Sequence, residues 1–306
     1  MATSSPSRSL GFELSLLALL ATLWGASYTF IKIGVETIPP VTFIAGRTLI
    51  AGLLLLFVLR LRGLSMPRDL ASWRLFATQA ALNSVLPFTL IAWAELSLDA
   101  GLAAILNSTT PIFTFLITIA VTRHEPATWR KAFGVIAGMA GICLIIGIQA
   151  LNGLGRELVA QLAIILATVS YAGASIFGQK FRHMDPMMPA AGSMLAGAVI
   201  LIPWSLIIDR PWTIAPSSSS LLALGGLSVF STACAFCIFF RLLHTLGSVG
   251  TTAQGYLRVP VGVAIGAYFL SERLSDTVWI GLICVVFGVA AMTLPGRKTA
   301  PAHKPA

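Results

Sequence analysis

The stretch ALLATLWGASYTFIK, Ala18–Lys32, returns later in the chain as AIILATVSYAGASIFGQK, Ala163–Lys180, and reading the two together decides the fold. Each is apolar, ends on a lysine, and spaces its aromatic and hydroxyl groups so that they share one helical face. IAGRTLIAGLLLL, Ile44–Leu56, likewise returns as AAGSMLAGAVILI, Ala190–Ile202. The stretch Pro111–Gly141 returns as Pro260–Gly288, with Glu125 over Glu272 and Gly134 over Gly281. The halves thus repeat at a shift of about 147 residues, the weak internal repeat expected of transporter folds.

Around these segments the whole chain is apolar. Of 306 residues 57% are hydrophobic and 10% charged, against roughly a quarter charged in soluble domains. Mean hydropathy is +0.88, so the bilayer is the solvent. Runs of about 20 apolar residues are long enough to cross it. Hydropathy and helix breakers place spans at 11–33, 41–61, 73–96, 99–121, 129–149, 157–180, 188–208, 219–243, 248–270 and 276–295. Pro39-Pro40, Met66-Pro67, Glu125-Pro126, Asp185-Pro186 and Pro211 mark boundaries, and Ser217–Ser220 reads as a polar connector. The expected fold is all-α, in two repeats, 1–150 and 151–295, with a disordered cytoplasmic tail over 296–306. Five spans per repeat is an odd number, so the second copy sits inverted, with a shared site near the midplane.

The net charge of +9 does not read as a nucleic-acid surface, because the basic residues cluster in short loops between spans. Sorted by alternate loops, one side collects Arg8, Arg60, Arg62, Arg68, Arg74, Arg123, Arg130, Lys131, Lys180, Arg182, Arg241, Arg297, Lys298 and Lys304. The other holds Lys32, Arg156, Arg210 and Arg273. Cytoplasmic loops carry the excess, so both termini are predicted to be cytoplasmic. The first span is too long for a signal-peptide core and lacks a small-residue cleavage site, so it is expected to be retained.

Cys143, Cys234, Cys237 and Cys284 all fall in apolar runs, where they read as packing residues rather than as a disulfide framework or metal site. No cofactor or metal pattern is present. An enzyme is disfavoured: His124, His183 and His244 sit at membrane edges and His303 in the tail, and neither H-E-x-x-H nor G-x-S-x-G occurs. The remaining alternative to a transporter is a channel or a receptor-like binding protein.

Trp24-Gly25-Ala26-Ser27, Arg47, Ala100-Gly101-Leu102-Ala103-Ala104 leading to Pro111, and RVPVGVAIGAYFLSERLS from Arg258, with Pro260, Gly266 and Glu272, then Gly281 and Gly288, make up a joint pattern. In this pattern the chain resembles the drug/metabolite transporter superfamily, in its EamA-type branch of paired five-helix repeats, over nearly its full length. The resemblance implies export of amino acids or related metabolites by alternating access, linked to the proton gradient. His124-Glu125-Pro126, where a Gly-Glu-Arg-type turn is usual, and Arg258 depart from the family pattern.

Polar residues inside spans are costly and face the protein interior, so their helical phase locates the cavity. Trp24, Tyr28 and Lys32 share a face of one span, Gln79, Asn83 and Pro87 of another, and Asn107, Thr110, Thr114 and Thr118 of a third. In the second half Thr168, Tyr171, Ser175 and Gln179 align, as do Thr251, Gln254 and Arg258. The expected substrate-binding set is Trp24, Tyr28, Gln79, Asn83, Asn107, Tyr171, Ser175, Gln254 and Arg258, for a small-molecule substrate within the lipid bilayer. The same groups could instead glue helices together by hydrogen bonds. Pro111 and Pro260 are structural breaks that would leave the carbonyls of Asn107 and Tyr256 without helical partners. Gly134-x-x-x-Gly138 and Gly262-x-x-x-Gly266 read as close-packing surfaces. Arg47 reads as a structural anchor near a helix end. Arg258 reads as a cation for a substrate carboxylate, or as one satisfied by bent-helix carbonyls or lipid phosphate. Glu13, Glu95, Asp99, Glu125 and Glu272 lie near span ends, and none is deep enough to stand out as a proton carrier.

Overall fold

A computed structural model describes residues 10–98, 103, 106–122, 128–146, 157–261 and 276–294. Among them every regular element is helical. Six helices are long and apolar enough to cross a membrane: α1 (Leu10–Gly34), α2 (Pro40–Leu61), α3 (Leu70–Ala94), α6 (Leu158–Phe181), α7 (Met187–Ile208) and α8 (Ser218–Thr245). Shorter helical stretches stand between and after them: α4 (Thr110–Ala120), α5 (Trp129–Ile146), α9 (Gly247–Thr252, resuming over 254–261) and α10 (Asp276–Thr293).

Local chemistry sets these limits. Pro40 opens α2 at a position where its missing N–H costs nothing. Asp69 accepts the amide of Ser72 at 2.7 Å and starts α3. Ser217, expected in a loop, accepts the Ser220 amide at 3.2 Å, so the serine run is the cap and first turn of α8. Pro111 begins α4 instead of interrupting it, and the Asn107 carbonyl, expected to be free, accepts the Thr110 hydroxyl at 2.7 Å. Pro260 lies within the 254–261 helix. Two long helices contain π turns, α3 at Ala81–Val85 and α8 at Val229–Cys234.

The bundle is inside-out relative to a soluble protein. Phe57, Leu61, Val199, Ile207, Leu222 and Phe287 are exposed, while Arg47, Gln79, Asn83, Thr114, Thr168, Thr232 and Gln254 are buried. Lipid satisfies the apolar exterior, and the polar groups must find partners within. Helices pack as α1 with α8, α3 with α6, α2 with α7, and α5 with α10. The last pair meets through glycine: Gly134, Gly138 and Gly141 face Gly281 and Gly288, leaving no space for a Cβ. The four cysteines are free. Asp99, Gly101, Glu125, Gly262, Gly266, Glu272 and the 296–306 tail lie outside the described residues.

Candidate functional site

The two π turns set the site's walls. A π turn shifts the hydrogen-bond ladder by one residue and so leaves polar groups for other partners. At the first, the Leu82 carbonyl accepts the Ser170 hydroxyl at 2.7 Å, joining α3 to α6. At the second, Ser231 donates its hydroxyl to the Leu23 carbonyl at 2.6 Å, and its own carbonyl accepts Trp24 Nε1 at 3.0 Å, joining α8 to α1. The broken segments meet between these joints. Ser108 Oγ, in the turn before α4, donates to the Gly255 carbonyl of α9 at 3.2 Å.

The cavity so enclosed is about 40 Å³, room for a few waters. Trp24 and Tyr28 line it from α1, Asn83 from α3, Asn107 from the turn before α4, Tyr171 and Ser175 from α6, and Gln254 and Arg258 from α9. Helical phase thus brings these eight to one place. Gln79 does not reach the wall; it is buried beside α6 and donates to the Ala174 carbonyl at 3.2 Å. Phe88, Phe236 and Phe239, unmarked by any sequence signal, pack with Trp24 and Tyr171 as an aromatic side, with Trp24 5.5 and 5.4 Å from the rings of Phe236 and Phe239.

Both arginines lie in the wall. Tyr28 organises one of them: its hydroxyl accepts from Asn107 Nδ2 at 2.5 Å and from Arg258 Nη1 at 3.0 Å. Arg258 Nε donates to Gln254 Oε1 at 2.9 Å, and its guanidinium sits 5.3 Å from the Trp24 ring. These partners are neutral side chains, where carbonyls or lipid phosphate were the expected alternative to substrate. Arg47 is 2% exposed. Its Nε donates to Thr232 Oγ1 at 2.7 Å, in the α8 π turn, and its guanidinium stacks 3.6 Å above Phe88.

Around the cavity are three charged clusters. Lys32, one turn past Tyr28, donates to the Glu95 carbonyl at 2.7 Å. Glu95, expected near a span end beside an external turn, is fully buried, and neither carboxylate oxygen has a hydrogen-bond partner. At the far end of α1, Glu13 pairs with Arg241 at 2.5 Å and accepts from Thr245. A wider cavity of about 540 Å³ lies one helical turn from the central one, since Ser248 and Thr252 line the two in turn. Lys180 and Arg182 stand at this second cavity, along with Gln179.

This fold is that of a multi-pass membrane protein with a polar internal cavity. The model of the EamA-like transporter family matches the chain twice, over residues 11–147 and 158–294, and the chain belongs to that family. It is 31% identical over 294 residues to the "Uncharacterized inner membrane transporter YedA" of Escherichia coli K12, covering 94% of this chain and 92% of that one. It is 24% identical to the "Probable amino-acid metabolite efflux pump" of the same organism, covering 90% and 92%. Its fold is similar to that of a solved structure titled "Crystal structure of protein", with a TM-score of 0.74 at 17% identity, covering 94% of this chain and 98% of that one.

Proposed function

We propose that the chain is a secondary transporter exporting a small polar metabolite, an amino acid or a related compound, by alternating access. The observation that carries this reading is the small central cavity, lined by polar groups from both halves and set in a bundle whose exterior is apolar. Its volume admits water but no metabolite, so a carrier must open it toward each side in turn. The efflux-pump relative supports the amino-acid-related class.

Ten crossings in two inverted repeats, 1–150 and 151–295, account for the packing. Exchanging the halves turns the α1–α8 contact into α6–α3, and maps the α2–α7 and α5–α10 contacts onto themselves. The π turns exchange as well. Both termini are then cytoplasmic in an inner membrane, by the bias of basic loops. The same bias would put Lys180 and Arg182, and with them the wide cavity, on the cytoplasmic side, where an exporter loads. Cysteine introduced at Thr213 should react with an impermeant thiol reagent on intact cells and cysteine at Ser65 should not; the reverse pattern inverts the topology.

The function is tested in proteoliposomes. Saturable counterflow of a labelled metabolite is expected, whereas an ohmic, non-saturating current would make the protein a channel.

A further inference from the structure

We propose that the central cavity is built for an organic anion, a carboxylate with an apolar body and no ammonium group. The proposal rests on the transporter reading and narrows its substrate to deaminated relatives of amino acids.

The side-chain nitrogens of the wall hold unmet donors. Arg47 has Nε engaged by Thr232, and its two terminal nitrogens make no hydrogen bond with any described residue. Arg258 has Nε and Nη1 engaged, leaving Nη2. Asn83 Nδ2 is buried without a partner, because only its oxygen is used, by Ser84 at 2.5 Å. The amide acceptors, by contrast, are occupied. Gln254 Oε1 holds Arg258, and Asn107 Oδ1 has Thr110 and Thr168 hydroxyls at 3.4 Å. A buried donor left without an acceptor costs free energy that a carboxylate would recover, most fully through paired guanidinium N–H groups.

Charge points the same way. Two guanidinium groups line the cavity and, among the described residues, no carboxylate does. Glu95 faces Arg47 electrostatically but lies one turn past Ile91, outside the wall, and hydrogen-bonds to neither arginine. A substrate ammonium would therefore add a third cation to a small, mostly enclosed site in which no described wall residue carries a negative charge to pair it. The Trp24, Phe88 and Phe236 rings supply surface for an apolar body. Lys180 and Arg182 at the wider cavity would raise the local concentration of anions on the approach.

The test is a series of one shape and three charges, phenylpyruvate, phenylalanine and phenethylamine, offered to the purified full-length protein. Ligand-induced stabilisation gives apparent Kd by mass action. Phenylpyruvate is expected to bind about tenfold tighter than phenylalanine, with phenethylamine giving no shift. Arg47→Gln and Arg258→Gln should each weaken phenylpyruvate about tenfold and phenylalanine less, because losing a guanidinium also relieves the repulsion of its ammonium group. The ligand series on the unaltered protein decides the matter even where a variant fails to fold. Equal or tighter binding of phenylalanine or phenethylamine, or no response to phenylpyruvate, overturns the proposal. Saturable counterflow of phenylalanine without phenylpyruvate binding would remove the anion and keep the carrier. Non-saturating leak of every solute would remove the carrier itself.

Discussion

Gly288→Ala places a methyl group where α10 crosses α5. The added Cβ would lie 2.6 Å from the Gly138 nitrogen, 2.8 Å from the Gly134 carbonyl oxygen and 2.9 Å from the Gly138 Cα. Ordinary contact begins near 3.4 Å, so the helices must part by about 0.8 Å. All three neighbours are backbone, so no rotamer can relieve the clash. Overpacking of this kind costs about 1–3 kcal/mol, and the better helix propensity of alanine returns about 0.8. In lipid the loss is not softened by a hydrophobic force, since close packing itself holds such helices together. A net destabilisation of about 1–2 kcal/mol is expected in equilibrium unfolding from mixed micelles. Gly225→Ala, on α8 with nothing within 4 Å of its Cβ, is the control and should be neutral or stabilising. Gly288→Ala as stable as Gly225→Ala would refute the close-crossing argument.

Glu13→Gln removes the charge that Arg241 and Thr245 share at the end of α1; a loss of about 1–2 kcal/mol is expected, and a double-mutant cycle with Arg241→Gln should show coupling. Tyr28→Phe strips the acceptor from Asn107 Nδ2 and Arg258 Nη1 together; it should lower the unfolding midpoint by about 1–3 kcal/mol in equivalent stability, and an unchanged midpoint would mean these donors find other partners. Asp69→Ala should fray the first turn of α3, measured as faster hydrogen exchange at the Ser72 amide. Hydrogen bonds from Ser72 hold the Asp69 carboxyl below its ordinary range. In the unaltered protein the cap is therefore complete above the unfolded-state value and lost as pH falls through the lower folded one, so fraying that grows with rising pH would contradict it.

Helix limits were legible where backbone chemistry punctuates the sequence. Pro39-Pro40 and the Arg60–Arg62 exit fix α2 at Pro40–Leu61, one residue from the expected 41–61. The site was legible through periodicity, since a buried polar group recurring every turn is too costly to be accidental. Gln79 shows where that signal fails. The π turn begins two residues after it, and residues four apart on either side of an extra residue no longer share a face. Nothing in ALNSV marks such a turn. Phe88, Phe236 and Phe239 were hidden for the opposite reason, because in an apolar span a phenylalanine facing the cavity looks like one facing lipid. Glu95 followed a third course. Its place at the end of a span suggested exposure, but Lys32 draws that end of α3 against α1 and encloses it.

Arg47 was read as an anchor that the fold requires, and the two copies of the repeat differ at its position. In the second copy Ser193 holds the matching position, fully buried and bonded to the Pro189 carbonyl at 2.7 Å. Helices α2 and α7 still pack along one another, so the scaffold closes as well around a small hydroxyl as around a guanidinium. Arg258 is matched by Thr109, whose hydroxyl turns back to the Leu106 carbonyl at 2.7 Å. The duplicated elements supply what both halves share, namely crossings that pack on glycine and π turns that hold the cavity walls. Each cation is present in one copy only. A charge that the equivalent place does without is not needed for packing, and keeping it buried away from water is costly. Bonds to Thr232, Gln254 and Tyr28 offset part of that cost, and an anion entering the cavity would offset more. The asymmetry of the two copies is the pattern expected if both arginines meet the substrate of the proposed carrier.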